Sequence, residues 1–445
     1  MYLKLVPLFG LLAGASVTVR KTSKGPTGYE VTFRFENTTA RSVSIAGGLQ
    51  PFTDAYHATP SGSSLWDPQN YEPGWFIARG GGTRPQDQPY QMTNLGNGSW
   101  TYTSPFPSGT YAYAFVVNCS GNNTQCGIDS GNYVIDPDNL PFVNVQGDQT
   151  ASIFQVPYDP EFQYDPDINL NFDYTLPVDK AHRGTVHNVN YTSPGSIHPA
   201  QDVHDFVIYL PPGYSNATAK KYPILYLSHG GGGNAQDWQN LAQTSSIMDR
   251  LILEGSIEPT IVVMPSFYNI APEYKQVYGR PNPGGRYPPP SVVRENYLAY
   301  LMPFVERTFA VSMEPSRRAF AGLSLGGQLT YEMYMNATDY FGYFGIFSGA
   351  TFGNAANYPN PERIAANPRL KEVGVFTSVG LYDFAFDDIR VLEGVLQANR
   401  IGFLTRIVPF GYHAWNTWQD NLWHFGKKAL WKKTPYPANP IRVAV

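Results

Sequence analysis

The chain lacks any run of Lys and Arg, and its formal net charge at pH 7 is −4. Without a basic patch it has no surface for a polyphosphate, so nucleic acid and membrane surfaces are excluded as partners and a neutral or weakly charged substrate is expected. Past the first residues no apolar stretch is long enough to cross a bilayer. The His- and Asp-bearing stretch "HPAQDVHD" (His198, Asp202, His204, Asp205) lacks metal-ligand spacing and leads into an expected strand, where alternate residues face opposite ways. No metal and no cofactor are expected. The glycines of "LSHGGGGNAQDW" have no Gly-Lys-Ser/Thr after them, which excludes a phosphate cradle. Cysteine is nearly missing: Cys119 and Cys126 are the whole complement.

Aromatics, by contrast, are abundant, with 31 Tyr, 26 Phe and 8 Trp, an excess that suits both strand-rich structure and flat binding surfaces. A length of 445 residues exceeds one small core and fits a large domain with a smaller module. Residues 1–15 read as a secretory signal peptide: Lys4 supplies a positive start, an apolar run follows, and Ala13 and Ala15 form a small-x-small cleavage site. A secreted, extracellular protein is expected. There the two cysteines read as a disulfide closing the loop "CSGNNTQC", worth roughly 2–3 kcal/mol on chain entropy. Asn37, Asn97, Asn118, Asn122, Asn190, Asn216 and Asn336 open glycosylation sequons.

Residues 17–145 alternate with period two. Val31, Phe33 and Phe35 share one face, as do Tyr111, Tyr113, Phe115 and Val117, and an all-β sandwich is expected. The stretches "PFPSGTYAYAFVVN" and "VIDPDN" resemble the early-set immunoglobulin-like domains, among them the carbohydrate-binding modules of family 48. Relatives usually place an Asp-Gly turn where Asn118 and the cysteine loop stand here, so the resemblance implies a structural or cleft-shaping role rather than independent glycan binding. Residues 146–180, rich in Pro, Asp and aromatics, read as a linker laid over a surface.

Over residues 181–435 buried strands alternate with amphipathic helices, which predicts an α/β fold with a mainly parallel sheet covered on both faces. A helical stretch is expected to break or kink at Pro303, and Asp387 and Asp388 are expected to cap the helix that they precede. "RRAFAGLSLGGQLTYEMYM" places Gly-x-Ser-x-Gly between a strand and a helix, the setting of a nucleophile elbow. Ser324 is therefore the candidate nucleophile, and the amide of Leu325 the first oxyanion donor. Gly230 and Gly231, on a turn after an earlier strand, are candidates for the second. A base should follow on a loop past a later strand; His413 in "VPFGYHAW" fits, whereas His424 falls in a helical stretch and reads as packing. Between nucleophile and base, Asp383 in "VGLYDF" lies after a strand and is the candidate orienting acid.

The stretches "YPILYLSHGGGGNAQDW", "AGLSLGGQ", "VGLYDF" and "GYHAWNTWQDNLWHF" resemble α/β-hydrolase esterases of the esterase D type, especially carbohydrate esterase family 1 with its feruloyl and acetylxylan esterases. That resemblance implies nucleophile, acid and base at Ser324, Asp383 and His413, and an ester on plant cell-wall polysaccharide, feruloyl or acetyl, as substrate. Ala414 stands where family members often carry an acidic or polar residue. Trp415 and Trp418 follow the base and are candidates for the substrate pocket. The tyrosine-bearing loop of residues 266–290 is expected at the same end of the sheet. A non-catalytic glycan-binding protein on the same scaffold, or an acyl transferase, are the alternatives.

Overall fold

A computed structural model describes residues 15–46, 55–59, 62–65, 77–79, 90–118, 132–136, 138–139, 141–143, 149–164, 170–217, 219, 221–275, 287–352, 358–409, 411–437 and 441–442. The cysteine pair, Asn122 and residues 1–14 of the expected leader lie outside them.

The N-terminal region is built of strands. One sheet runs β1 (Ala15–Lys21), β2 (Tyr29–Glu36), β9 (Ser99–Pro105), β8 (Thr93–Asn94). A second runs β12 (Pro141–Val143), β13 (Gln149–Val156), β10 (Gly109–Val117), β3 (Val43–Ala46), β7 (Tyr90–Gln91), with β11 (Tyr133–Val134) also paired to β10. A third is β5 (Gly62–Leu65), β4 (Ala55–Thr59), β6 (Ile77–Arg79). Period two turns Val31, Phe33 and Phe35 inward from the first sheet, where they meet Tyr113, Phe115 and Phe154 of the second. The ring of Phe33 lies 5.2 Å from that of Tyr113 and 5.4 Å from that of Phe154, so the two sheets close over an aromatic core. Each such ring contributes about 1.5–3 kcal/mol by burial. The motif "VIDPDN" fastens this core: Asp136 accepts from the Tyr113 hydroxyl at 2.5 Å, and Asn139 donates to the same hydroxyl at 3.0 Å.

The sandwich extends past residue 145, its expected end. The strand β13 pairs with β10 from Gly109↔Val156 to Tyr113↔Ser152, so the part of the expected linker up to Val156 belongs to the sheet. The segment beyond β13 is strapped to both halves. Gln163, in α1 (Pro160–Gln163), donates to Thr27 O at 2.7 Å and accepts from Ser108 N at 2.8 Å. Farther along the segment, Tyr174 stacks on Trp423 at 4.7 Å with planes 6° apart.

The C-terminal region is a nine-stranded sheet in the order β14 (Thr185–Thr192), β15 (Val203–Leu210), β17 (Ile261–Pro265), β16 (Ile224–Ser228), β18 (Arg318–Leu323), β19 (Tyr343–Phe347), β20 (Gly374–Gly380), β21 (Phe403–Val408), β22 (Ile441–Arg442). β14, β15 and β17 pair antiparallel; every later pairing is parallel. Its central strands are apolar at nearly every position because both faces are covered. In β16, Ile224 and Tyr226 join one core while Leu225 and Leu227 join the other. The first core takes in α4 (Pro290–Asn296), α5 (Met302–Thr308), α6 (Leu325–Asn336), α7 (Pro361–Ala366) and α8 (Phe386–Ala398); the second takes in α2 (Asp237–Asn240), α3 (Thr244–Leu253) and α9 (Trp415–His424). The sheet continues past residue 435, the expected domain end, through the pairing of β22 with β21.

The helices bear out one expectation and correct another. The α-helical pattern is interrupted just before Pro303: a π turn over Tyr297–Leu301 separates α4 from α5, and the wider turn accommodates the residue that lacks an N–H. Neither Asp387 nor Asp388 caps α8, whose N-cap is Ala385 without a side-chain bond. Asp388 instead accepts from the Ala350 amide at 2.6 Å, the Thr351 hydroxyl at 3.1 Å and the Tyr358 hydroxyl at 3.0 Å, anchoring the loop after β19.

Candidate active site

Ser324 follows β18 at φ 54° and ψ −117°, a backbone conformation that L-residues avoid. The turn is held by Ser324 N donating to Phe347 O at 2.9 Å and by Gln328 N donating to Ser324 O at 3.0 Å. Its sharpness depends on close backbone approach. A Cβ at Gly326 would lie 2.3 Å from His229 O, and one at Gly322 would lie 2.5 Å from Gly326 O. The helix α6 starts at Leu325, so the free amides of its first turn begin beside the serine.

Asp383 and His413 come to the same edge of the sheet. Registers Leu323↔Phe347, Phe347↔Ser378 and Gly380↔Val408 align the carboxyl ends of β18 to β21. A Cβ at Gly380 would lie 2.2 Å from Gly411 O, so the loops leaving β20 and β21 touch. There Asp383, with its side chain buried, accepts from His413 Nδ1 at 2.8 Å and from the Ala385 amide at 2.8 Å. With Nδ1–H given to the carboxylate, Nε2 of a neutral His413 keeps its lone pair. The imidazole is held by rings, Phe384 at 4.1 Å and the edge of Trp418 at 5.0 Å. Trp418 in turn donates from Nε1 to Ser348 Oγ at 3.1 Å.

The glycine turn lies on the other side of Ser324. A Cβ at Gly230 would be 3.2 Å from Ser324 Cβ, and one at Gly231 would be 3.1 Å from Leu325 Cδ1. Buried His229 braces this turn, its Nδ1 donating to Gly230 O at 2.7 Å and its ring stacked on Phe267 at 4.1 Å. Burial pushes its pKa down to about 4, so the ring is neutral. Tyr268 accepts from Gly232 N at 3.0 Å through its hydroxyl. Buried Asp237 accepts from Asn234 Nδ2 at 2.9 Å, and burial lifts its pKa to about 8. Both braces are therefore uncharged at neutral pH, so neither places a full charge beside the glycine turn.

The loop of residues 266–290 contributes Phe267, Tyr268 and exposed Tyr287 to this side, as its position after a strand predicts; its residues 276–286 lie outside the described ones. Trp418 is buried against His413 and braces the base loop from within, whereas Trp415 is half-buried and packs at 5.6 Å against Trp238. The exposed ring at the base comes from another loop: Phe384, with Phe352 beside it at 6.4 Å. No pattern in sequence marks either phenylalanine. His229, Asp237 and Asp388 also escape sequence reasoning as site supports; the adjacency of His229 and Asp237 to the glycine turn was the available signal. His424 packs in a buried cluster with Asp420, at 3.5 Å. Among the described residues no group of three or more His, Cys, Asp or Glu could hold a metal ion, and no helix is long and apolar enough to cross a membrane. Asn97, Asn118, Asn190, Asn216 and Asn336 are exposed or half-exposed, and Asn37 is half-buried in a turn.

Comparison with known proteins gives this chain a family. The model of the family described as putative esterases matches residues 200–427. A curated endo-1,4-beta-xylanase/feruloyl esterase of Xylanibacter ruminicola is 34% identical over 148 residues, 33% of this chain and 19% of that protein. The endo-1,4-beta-xylanase Y of Acetivibrio thermocellus is 35% identical over 153 residues, 32% of this chain and 12% of that protein. The matches thus span less than a fifth of either relative's length. Among solved structures, the enterobactin esterase of Shigella flexneri aligns over 94% of this chain and 96% of its own, at 14% identity and a TM-score of 0.53, a likeness of fold. The C-terminal sheet, parallel from β17 onward and covered on both faces, belongs to the part of the chain over which that likeness of fold extends.

Proposed function

The chain belongs to this esterase family, and on that premise we propose that it is a secreted serine esterase that cleaves feruloyl or acetyl esters on plant cell-wall xylan. The Ser324 hydroxyl attacks the ester carbonyl while His413 Nε2 takes its proton. Asp383 holds the imidazole in the tautomer that leaves Nε2 free and stabilises the imidazolium that forms. The carbonyl oxygen, now an oxyanion, is met by the Leu325 amide and by an amide of the Gly230–Gly231 turn. His413 then returns the proton to the leaving alkoxide, and water, activated by the same nitrogen, releases the acid from the acyl-enzyme. The observation that carries this reading is the 2.8 Å bond between His413 and Asp383 at the sheet edge where the strained Ser324 turn stands. The feruloyl and xylan elements rest on the resemblance of the motifs and on the activities that name the Xylanibacter relative. The sandwich is assigned a cleft-shaping role, consistent with its strapping to the C-terminal half through Gln163 and Tyr174.

Ser324→Ala should abolish hydrolysis of methyl ferulate and of a generic aryl acetate, and should end labelling by a fluorophosphonate probe. Undiminished labelling of the variant would remove Ser324 from the role. Wild-type rates on methyl ferulate and on acetylated xylan then identify the acyl group.

A further inference from the structure

Two large apolar rings stand in the open beside the base, where packing alone gives no reason for them. Phe384 is 72% exposed although its ring lies 4.1 Å from that of His413, and Phe352 is 39% exposed at 6.4 Å from Phe384. Apolar area left in water forgoes about 25 cal/mol per Å². Both rings nonetheless stand on anchored backbone. Phe384 directly follows the buried Asp383, whose carboxylate fixes the Ala385 amide just beyond it. Phe352 follows Ala350 and Thr351, which Asp388 anchors, and takes a left-handed conformation with φ 46°.

Their side of the site decides what they can touch. In ester cleavage the carbonyl oxygen turns toward the oxyanion donors, here on the Gly230 and Gly231 side with Tyr287 above it. The alkoxy oxygen turns toward the group that protonates it, here His413. A ring laid against His413 therefore borders the alcohol half of the ester and not its acyl half. Sugar rings present flat C–H faces that pack on aromatic faces, and an exposed phenylalanine on anchored backbone supplies such a face.

We infer that Phe384, flanked by Phe352, is the platform on which the sugar of the leaving alcohol stacks, so that this enzyme selects its ester by the carbohydrate that carries it. The inference rests on the esterase reading above. Its test uses the full chain, wild type and Phe384→Ala, with methyl ferulate, a feruloylated xylo-oligosaccharide and the same oligosaccharide without its acyl group. Phe384→Ala should lower kcat/KM on the sugar ester about tenfold further than on methyl ferulate, equivalent to about 1.4 kcal/mol. It should weaken binding of the acyl-free oligosaccharide, followed by titration, by a similar factor, and Phe384→Trp should restore both. Equal losses on the two esters would reduce Phe384 to a support for His413 and overturn the platform. Unchanged oligosaccharide affinity would overturn it too. That binding arm needs no chemistry, so a wild-type protein that hydrolyses neither ester would sink the esterase reading while the platform still stood or fell on binding.

Discussion

The two flanks of Ser324 are built on opposite plans. On the oxyanion side the glycine turn rests on buried, uncharged groups, with His229 stacked at 4.1 Å on Phe267 and Asp237 bonded to Asn234 at 2.9 Å. On the base side His413 lies between a buried ring, Trp418, and an exposed one, Phe384. The first plan supports the glycine turn from beneath on neutral groups, with Tyr287 exposed beyond it; the second sets an exposed ring directly against the imidazole. Buried braces act on every ester alike, whereas an exposed ring beside the base can tell one alcohol from another.

The sharpest way to break this comparison is at the base itself. Asp383→Asn keeps the shape but favours the wrong imidazole tautomer, and should cut kcat by about 10⁴ on every ester. Loss confined to one ester class would mean that the base side governs recognition alone. The next largest effect is expected at His229. His229→Phe keeps the stack on Phe267 but cannot hold Gly230 O, so one oxyanion donor drifts. Since such a donor is worth about 10²–10³ in kcat, a misaligned one should cost roughly tenfold to a hundredfold. Steady-state kinetics should show kcat falling with KM nearly constant, equally for methyl ferulate and the sugar ester. A selective loss on the sugar ester would erase the distinction between the flanks.

Most of this site is legible because its signals are local or ordered along the chain. Ser324 stands out as the candidate nucleophile through a strand, two glycines and a helix in one stretch, and Asp383 and His413 each follow a strand in the order that the proposed chemistry uses. The sandwich core is legible through period two at Phe33 and Tyr113. What escapes is set by distance in sequence. Asp388 stands at a helix start and looks like a cap, yet its carboxylate crosses space to Ala350 and Thr351. Trp415 and Trp418 attract notice because they neighbour His413 in the chain, whereas the exposed ring on the imidazole arrives from the loop after another strand. The strand β13 reads as linker until its long-range pairing with β10 is seen. The strand β14 is hidden for a different reason: it is an edge strand exposed along most of its length, so its apolar pattern is faint.

The oxyanion side also makes a smaller prediction, in which its two neutral braces pull stability in opposite directions. Asp237 is held protonated to about pH 8 in the folded chain against an ordinary value of 3.8, so the folded state binds the extra proton between those values. Its contribution is full below about pH 4 and is lost as pH rises toward 8. His229, lowered to about 4 from 6.5, does the reverse: the unfolded chain binds the extra proton, and its contribution is lost as pH falls from 6.5 toward 4. Over the shared window the two slopes offset each other, each at most about 1.4 kcal/mol per pH unit. Above pH 6.5 the carboxyl acts unopposed. Asp237→Asn preserves shape and removes one slope. Relative to wild type, its Tm should hold better from pH 6.5 to 8 and fall more steeply from pH 6.5 to 4, where His229 is left uncompensated. Parallel Tm profiles for the two proteins would mean that Asp237 is ionised beneath the oxyanion turn, and the electrostatic contrast between the flanks would then disappear.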